Sequence, residues 1–270
     1  MSREGSPYES ADLALAYDDL SEPQFAHGTA LLDLLDLRAG ERLLDVGCGT
    51  GRLAVEALVR LGEAGTVVGV DPAASRIAIA SQHRDARLAL HVGRGEDLSL
   101  LATAEFDVVY FNSVITWLRD KRRGLLEAYR VLRPGGRLGI ATTVRENPNQ
   151  LNTIARLARA KVRGASARGE RADRRGVSTA EVSSLLSTAG FIPRHIEVRT
   201  FFSLFRDARH LVDFLRASTY DRLAPRAEMD PVSFEVAVQE VVARDYSQSL
   251  CADGIRLERY VLLAIADKST

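Results

Sequence analysis

The chain has 270 residues, and its 36 lysines and arginines match 36 aspartates and glutamates, so the formal net charge is zero. With 46% hydrophobic and 27% charged residues, the composition is that of a globular protein and excludes collagenous, low-complexity and disordered classes. The neutral balance argues against a dedicated nucleic-acid binder, which shows a basic footprint. No apolar run approaches the ~20 residues of a membrane span.

Taken in chain order, residues 1–40 read as an N-terminal helical lid. From residue 41, short apolar runs alternate with helical stretches. Arg42–Val46 reads as a strand, Gly47–Gly51 as a tight glycine turn, and Leu53–Leu61 as an amphipathic helix. Val67–Val70 is a second strand, Ala73–His83 a helix, Arg87–Val92 a third strand and Asp107–Phe111 a buried fourth. Arg119–Leu132 is helical and ends at Pro134-Gly135-Gly136, after which Arg137–Thr142 is a fifth strand. Strands alternating with helices imply βαβ units and a mostly parallel sheet with helices on both faces. The rhythm changes after Thr143. Helices are expected over Pro148–Lys161, from the capping sequence Ser178-Thr179-Ala180-Glu181 to near Gly190, over Asp207–Arg222 and over Pro231–Tyr246. Ile192–Thr200 and Arg256–Ala266 are the late strands, and 162–176 reads as loop. The expected organisation is a lid (1–40), a core (41–143), an insertion (144–180) and the remaining half of the sheet with cover helices (181–270).

The zero net charge hides segregation. Residues 1–36 hold eight acids and one base, whereas 156–175 hold eight bases and two acids. These segments could pair across the mouth of a site, or the basic one could attract an anionic acceptor. Aromatics are absent from 156–175, so the stacking half of single-strand recognition is missing there. The two cysteines, Cys48 and Cys251, lie far apart, which fits a reducing cytoplasm and no metal motif. The first ten residues carry no apolar stretch of the secretory-signal kind.

The sharpest signal is Leu43–Gly51, LLDVGCGTG, where a strand runs into a glycine loop that opens a helix. Glycines allow a sharp turn and close approach of a ligand to the backbone, and the helix N-terminus behind them favours a negative group. Asp71 ends the next strand, where an acid can accept hydrogen bonds from the ribose of an adenosine cofactor. The spacing is GxGxG, which is neither the GxGxxG of dinucleotide binders nor a phosphate loop. Asp45 beside the loop would repel a pyrophosphate and suits a cofactor carrying an ammonium group.

Four segments, LLDVGCGTG, GVDPA (Gly69–Ala73), EFDVVYFNSVITWLRD (Glu105–Asp120) and RVLRPGG (Arg130–Gly136), resemble the successive motifs of class I S-adenosylmethionine-dependent methyltransferases. Within that class the chain resembles the trans-aconitate and malonyl-carrier-protein carboxyl methyltransferases. The resemblance implies a Rossmann-like, seven-stranded, mostly parallel α/β sheet with an antiparallel last strand, and S-adenosyl-L-methionine as cofactor. It places Asp45, Gly47, Cys48 and Gly49 at the methionine end, Asp71 at the ribose, and Pro72, Gly95, Glu96 and Asp97 around the adenine. Where the family often reads Gly-Asp-Ala, this chain reads Gly93-Arg94-Gly95, so Asp97, a backbone carbonyl or a stacked Arg94 must serve the base. Asn112 and Ser113 should line the methyl-transfer channel. Trp117, the single tryptophan, would form an apolar wall near the sulfonium or a plug beneath the following helix.

For a catalytic base, His27 in the lid and His210 in a cover helix are the better-placed histidines; Tyr17 could face the cofactor, and Tyr8 and Tyr220 the pocket. The expected reaction is O-methylation of a small-molecule carboxylate or hydroxyl, the acceptor being anionic or carrier-bound, with no metal and no membrane partner. A binding protein of the same fold without methyl transfer, and a nucleic-acid or protein methyltransferase, are the competing readings.

Overall fold

The structure, a computed structural model, describes residues 11–147, 149–164, 176–219 and 230–270. Tyr8, Pro148, residues 165–175 of the basic segment, Tyr220 and the expected helix end at Arg222 lie outside these residues. Helices α1 (Ala11–Leu20) and α2 (Glu22–Leu35) precede β1 (Arg42–Val46), α3 (Arg52–Leu61), β2 (Thr66–Asp71), α4 (Ala74–Ala80), β3 (Leu88–Val92), β4 (Phe106–Asn112), α5 (Lys121–Val131) and β5 (Leu132–Thr143). There follow α6 (Gln150–Val162), α7 (Thr179–Thr188), β6 (Phe191–Phe205), α8 (Ala208–Thr219), α9 (Pro231–Asp245), β7 (Leu250–Cys251) and β8 (Gly254–Lys268).

The sheet order is β3-β2-β1-β4-β5-β8-β6, with the two-residue β7 pairing β8. The strands from β3 to β5 are parallel, and β8 runs antiparallel between β5 and β6. The expected mostly parallel sheet with an antiparallel last strand is therefore present, with β7 as an additional short strand. β1, β2 and β4 are buried along nearly their whole length, as parallel strands covered on both faces must be, hence their Val, Leu and Phe runs. The chain order reverses between β1, which leads outward to β2 and β3, and β4. Such switch points open a crevice at the carboxyl ends of the strands.

Two apolar clusters cover the sheet. One packs α5 and α7 against it; the other packs α2 and α3 on the opposite face. Arg137 of β5 reaches under the end of α2, where it donates to both carboxylate oxygens of Glu41 (2.8 and 2.7 Å) and to the carbonyl of Leu35 (2.9 Å). Burial raises the Glu41 pKa, but the Arg137 hydrogen bonds prevail and hold it below the ordinary value.

The late strands are longer than their sequence suggests. β6 and β8 pair from Phe191↔Lys268 to Phe205↔Ile255, but β5 meets β8 only from Arg137↔Asp267 to Thr143↔Val261. The rest of the ribbon overhangs the sheet. Its inner residues Phe205, Ile255 and Leu257 form a third core with α6, α8 and α9, so the overhang is the floor of a cap. The α7 cap also differs in detail from the capping-box reading. Ser178 Oγ accepts from the Glu181 N–H at 2.9 Å, but the Glu181 carboxylate takes Arg145 at 2.6 Å instead of turning back. Within the charged segments, Glu22 and Asp33 pair with Arg52 and Arg60 of α3 (3.0 and 2.6 Å), and Lys161 pairs with Glu240 of α9 (2.7 Å). These contacts tie each segment to its own neighbours. Among the described residues no helix is long and apolar enough to cross a membrane.

Candidate functional site

β1 delivers the glycine loop to the switch point. Gly47, Gly49 and Gly51 all adopt positive φ (80°, 56° and 83°), a region open to glycine at little cost. A Cβ on Gly47 would collide with the Val114 side chain, and the Gly47 N–H donates to the Val70 carbonyl at 2.6 Å. The loop is thus pressed at Gly47 between β2 and the segment after β4, with no room for a side chain at that position.

Asp71 joins the loop to α4. One carboxylate oxygen accepts the Gly49 N–H at 3.0 Å and the other the Ala73 N–H at 2.8 Å. Although only 4% exposed, Asp71 lines a cavity of about 350 Å³, a size suited to small-molecule sites. Its backbone donors fix the carboxylate while leaving lone pairs for further donors. Burial raises its pKa against the opposing charge of Arg76. Asp45 lies deeper, on a small side pocket shared with Tyr17, Gly47, Cys48 and Asn112. Tyr110 Oη donates to it at 2.5 Å. Burial is the main reason its pKa climbs to about 7, and neighbouring Asp71 adds to the rise. A cationic group placed there would restore the charge.

On the other side of the crevice, Arg94, Gly95 and Glu96 line the cavity together with Pro72 and Trp117. A Cβ on Gly95 would sit 2.9 Å from Val46 Cγ1, so glycine allows this loop to close on β1. Glu96 accepts the Arg119 N–H at 2.7 Å. At the end of β4, Ser113 holds φ at 61°, a strained conformation for a non-glycine residue of the kind that gathers at functional sites. Asn112 Nδ2 donates to the Gln24 carbonyl of α2 at 2.9 Å, while its buried Oδ1 has no partner among the described residues.

The structure therefore brings Tyr17, Gly47, Asp71, Pro72, Gly95, Glu96, Asn112, Ser113 and Trp117 onto one cavity and adds Asp45 and Cys48 through the side pocket. Gly49 stands behind them, bonded to Asp71. Trp117 is on the cavity wall. Asp97 is a correction: it is exposed, accepts the Ser99 N–H at 3.2 Å and is not on the wall, because its turn directs Glu96 inward instead. The candidate bases are corrected too. His27 is 2% exposed and packs edge-on against Phe201 at 4.7 Å, behind the wall. Burial, then the charge of Arg259, holds its pKa well below the ordinary value. His210 sits at the start of α8, where its Nδ1 accepts the Arg206 N–H at 3.1 Å and its ring meets Phe205. Neither lines the cavity.

The cavity extends beyond these residues, and this part the motifs did not indicate. Thr142 and Thr143 of β5, Asn152 and Arg156 of α6, Phe214 of α8 and Arg259 of β8 form its second half. Arg76 bridges the two parts: its guanidinium lies 3.9 Å from the Tyr17 ring centre and donates to the Ala217 carbonyl of α8 at 3.2 Å. One signal for Arg259 was present in the sequence. It shares the inward parity of Leu257, Val261 and Leu263 in β8, so a cation occupies an otherwise apolar row.

Residues 44–140 match the family described as a methyltransferase domain. The chain therefore contains a methyltransferase domain over these residues. Its cofactor is S-adenosyl-L-methionine, and the geometry fits that group. The glycine loop, the anchored Asp71 carboxylate and the buried Asp45 line two adjoining pockets that together form the cradle. The chain is similar to an arsenite methyltransferase of Aquipseudomonas alcaligenes, 36% identical over 136 residues, which are 47% of this chain and 38% of that one. It is also similar to a trans-aconitate 2-methyltransferase of Deinococcus radiodurans, 32% identical over 124 residues, with 46% of each chain covered. Both matches span less than half of the relative's own length. In fold it resembles the YcgJ protein of Bacillus subtilis (TM-score 0.62, 17% identity, 91% of this chain and 99% of that one).

Proposed function

We propose that this methyltransferase transfers the methyl group to an oxygen of a small anionic acceptor, a carboxylate in the first instance. The observation that carries this reading is the composition of the cavity's second half. Among the described residues, its wall from residue 142 onward holds arginines, threonines and asparagines but no acid and no histidine. An alcohol or phenol needs a base to remove its proton. A carboxylate, with an ordinary pKa of about 4, is already ionised at neutral pH. A wall with cations and no base suits the second acceptor.

When bound, S-adenosylmethionine supplies a methyl carbon activated by an adjacent sulfonium. The chain's own residues hold and orient. Asp71 would accept from the ribose hydroxyls and Asp45 would face the ammonium group. Pro72, Gly95 and Glu96 would enclose the adenine, and Arg94 is on the wall to stack on it. Asn112 and Ser113, on the cavity wall at the end of β4, would line the methyl-transfer channel, and Trp117 on the same wall would help exclude water, which strengthens local electrostatics. Alignment alone can recover up to about 7–11 kcal/mol of the barrier. No histidine takes part: His27 is neutral and behind the wall, and His210 is spent on the backbone of its own helix start.

The relatives differ in acceptor, and thiol chemistry offers a discriminator. Arsenite is thiophilic, yet Cys48 lies in the glycine loop and Cys251 is exposed, so no described cysteine reaches the second half of the cavity. The test uses methyl-labelled S-adenosylmethionine with acids, phenols, alcohols and amines. Base-labile methyl ester formed from acids supports the reading. Label found only in base-stable products, or on arsenite alone, refutes it.

A further inference from the structure

Arg259 is 5% exposed, and among the described residues neither its Nε nor its Nη1 has a hydrogen-bond partner. Burying a cation is expensive unless it is paired, so a fold keeps an unpaired one only where something else requires it. Among the described residues its surroundings supply no carboxylate counter-charge; Tyr17 is the titratable group that faces it. His27, whose titration it opposes, is neutral, and the Phe214 ring at 5.6 Å offers an aromatic face but no anion. The carboxylates that line the cavity, Asp71 and Glu96, belong to its first half. The side chain is nonetheless part of the cavity wall, placed there by the overhang of β8 beyond β5. Burial pushes its pKa down only to about 10, so the guanidinium stays charged at neutral pH.

We propose that Arg259 is the anchor for a carboxylate of the acceptor and sets the enzyme's preference for acids over neutral analogues. The proposal rests on the reading that the second half of the cavity receives the acceptor. A planar guanidinium with free donors matches a carboxylate in a paired geometry that a lysine does not reproduce. A carboxylate held in this way is charge-compensated and a poorer nucleophile. Arg259 is therefore a positioning residue, fixing the acceptor by one acidic group while another oxygen meets the methyl donor. An acceptor with two or more carboxylates fits best. An anion from another source could reach the same guanidinium, namely the carboxylate of the cofactor's own methionine end, so the experiment separates the two.

Trp117 is the chain's only tryptophan and lines this cavity, so its fluorescence reports binding without turnover. The full-length protein, with and without S-adenosylhomocysteine, is titrated with malonate, succinate and benzoate and with their amides. Wild type, Arg259→Met and Arg259→Lys are compared. Wild type should bind at least one acid more tightly than its amide by about 10–100-fold, the loss typical of removing a charged hydrogen-bond partner. Arg259→Met should erase that preference and leave the S-adenosylhomocysteine dissociation constant within about twofold. Its melting temperature without ligand should rise, because an uncompensated charge has gone. Arg259→Lys should keep part of the preference. Equal binding of acids and amides by wild type, or an intact preference in Arg259→Met, overturns the proposal. Weakened S-adenosylhomocysteine binding with acid binding unmoved also overturns it, by assigning Arg259 to the cofactor. A lowered melting temperature with the acid preference intact makes the guanidinium structural. Failure of the wild type to bind S-adenosylhomocysteine would count against the methyltransferase reading itself, while the acid-over-amide comparison in the cofactor-free protein would still decide the role of Arg259.

Discussion

The cavity has two halves that differ in how they are built. The first, from Tyr17 to Leu118, stands on the central parallel strands and is shaped by backbone: glycines at positive φ, N–H groups that fix Asp71, and a strained Ser113. The second, from Thr142 to Arg259, is assembled by the end of β5, the overhang of β8 and the cap helices α6 and α8, and is shaped by side chains. A backbone-shaped site tolerates little change and suits an invariant cofactor. A side-chain-shaped site can be re-lined without disturbing the sheet, which matches the variety of acceptors among the relatives.

Gly47→Ala would attack the first half hardest. It imposes a strained φ, costing about 1–3 kcal/mol, and drives a methyl group into Val114. S-adenosylhomocysteine affinity should fall by about 100-fold or more, read by isothermal titration beside a melting curve. A variant that binds normally would show that the loop is not the cradle. Asp71→Ala is next. It removes a carboxylate and leaves the Gly49 and Ala73 N–H groups unpaired, so cofactor affinity should drop about 10–100-fold while the acid preference of the second half survives. Loss of both would break the division between the halves.

Asp45 predicts a pH dependence. Its carboxyl in the free protein titrates near 7, and a bound ammonium group would favour the ionised form. Cofactor binding should therefore strengthen as pH rises towards about 7, by up to about tenfold per unit, and level off above it. Calorimetry in buffers of different ionisation enthalpy should register proton release on binding below that pH. A flat profile, or one that falls with pH, would detach Asp45 from the ammonium. The same raised value means that folding stability contributed at this position declines as pH rises through 7 in the free protein and is recovered on binding. The smallest effect is expected at His210. His210→Ala should change kcat less than about threefold, since its ring serves the α8 start; a loss of 100-fold would restore it as a base.

The two halves also differ in how much of them was legible in sequence. Leu43–Gly51 and Gly69–Ala73 announce their geometry because a positive-φ loop requires glycine and a strand-end acid sits at fixed spacing from it. Most of the first wall followed from those residues. Glu96 and Asp97 show the limit, since adjacent acids on one turn face opposite ways and composition does not say which. The second half was hidden because its members come from four elements after residue 142, joined only by tertiary packing. His27 and His210 were favoured for lying in the lid and cover helices, but the ring contacts with Phe201 and Phe205 turn them away. The strand ends at Phe205 and Gly254 ran past their expected limits because a third core, invisible to local periodicity, supports them.

A crystal structure of the protein with S-adenosylhomocysteine and malonate tests the division of the cavity most directly. The account predicts adenosine along Asp71 and Glu96, the amino group of the methionine end towards Asp45, and a malonate carboxylate within hydrogen-bond distance of Arg259. A cofactor whose own carboxylate occupies Arg259, with malonate outside the second half, would contradict it.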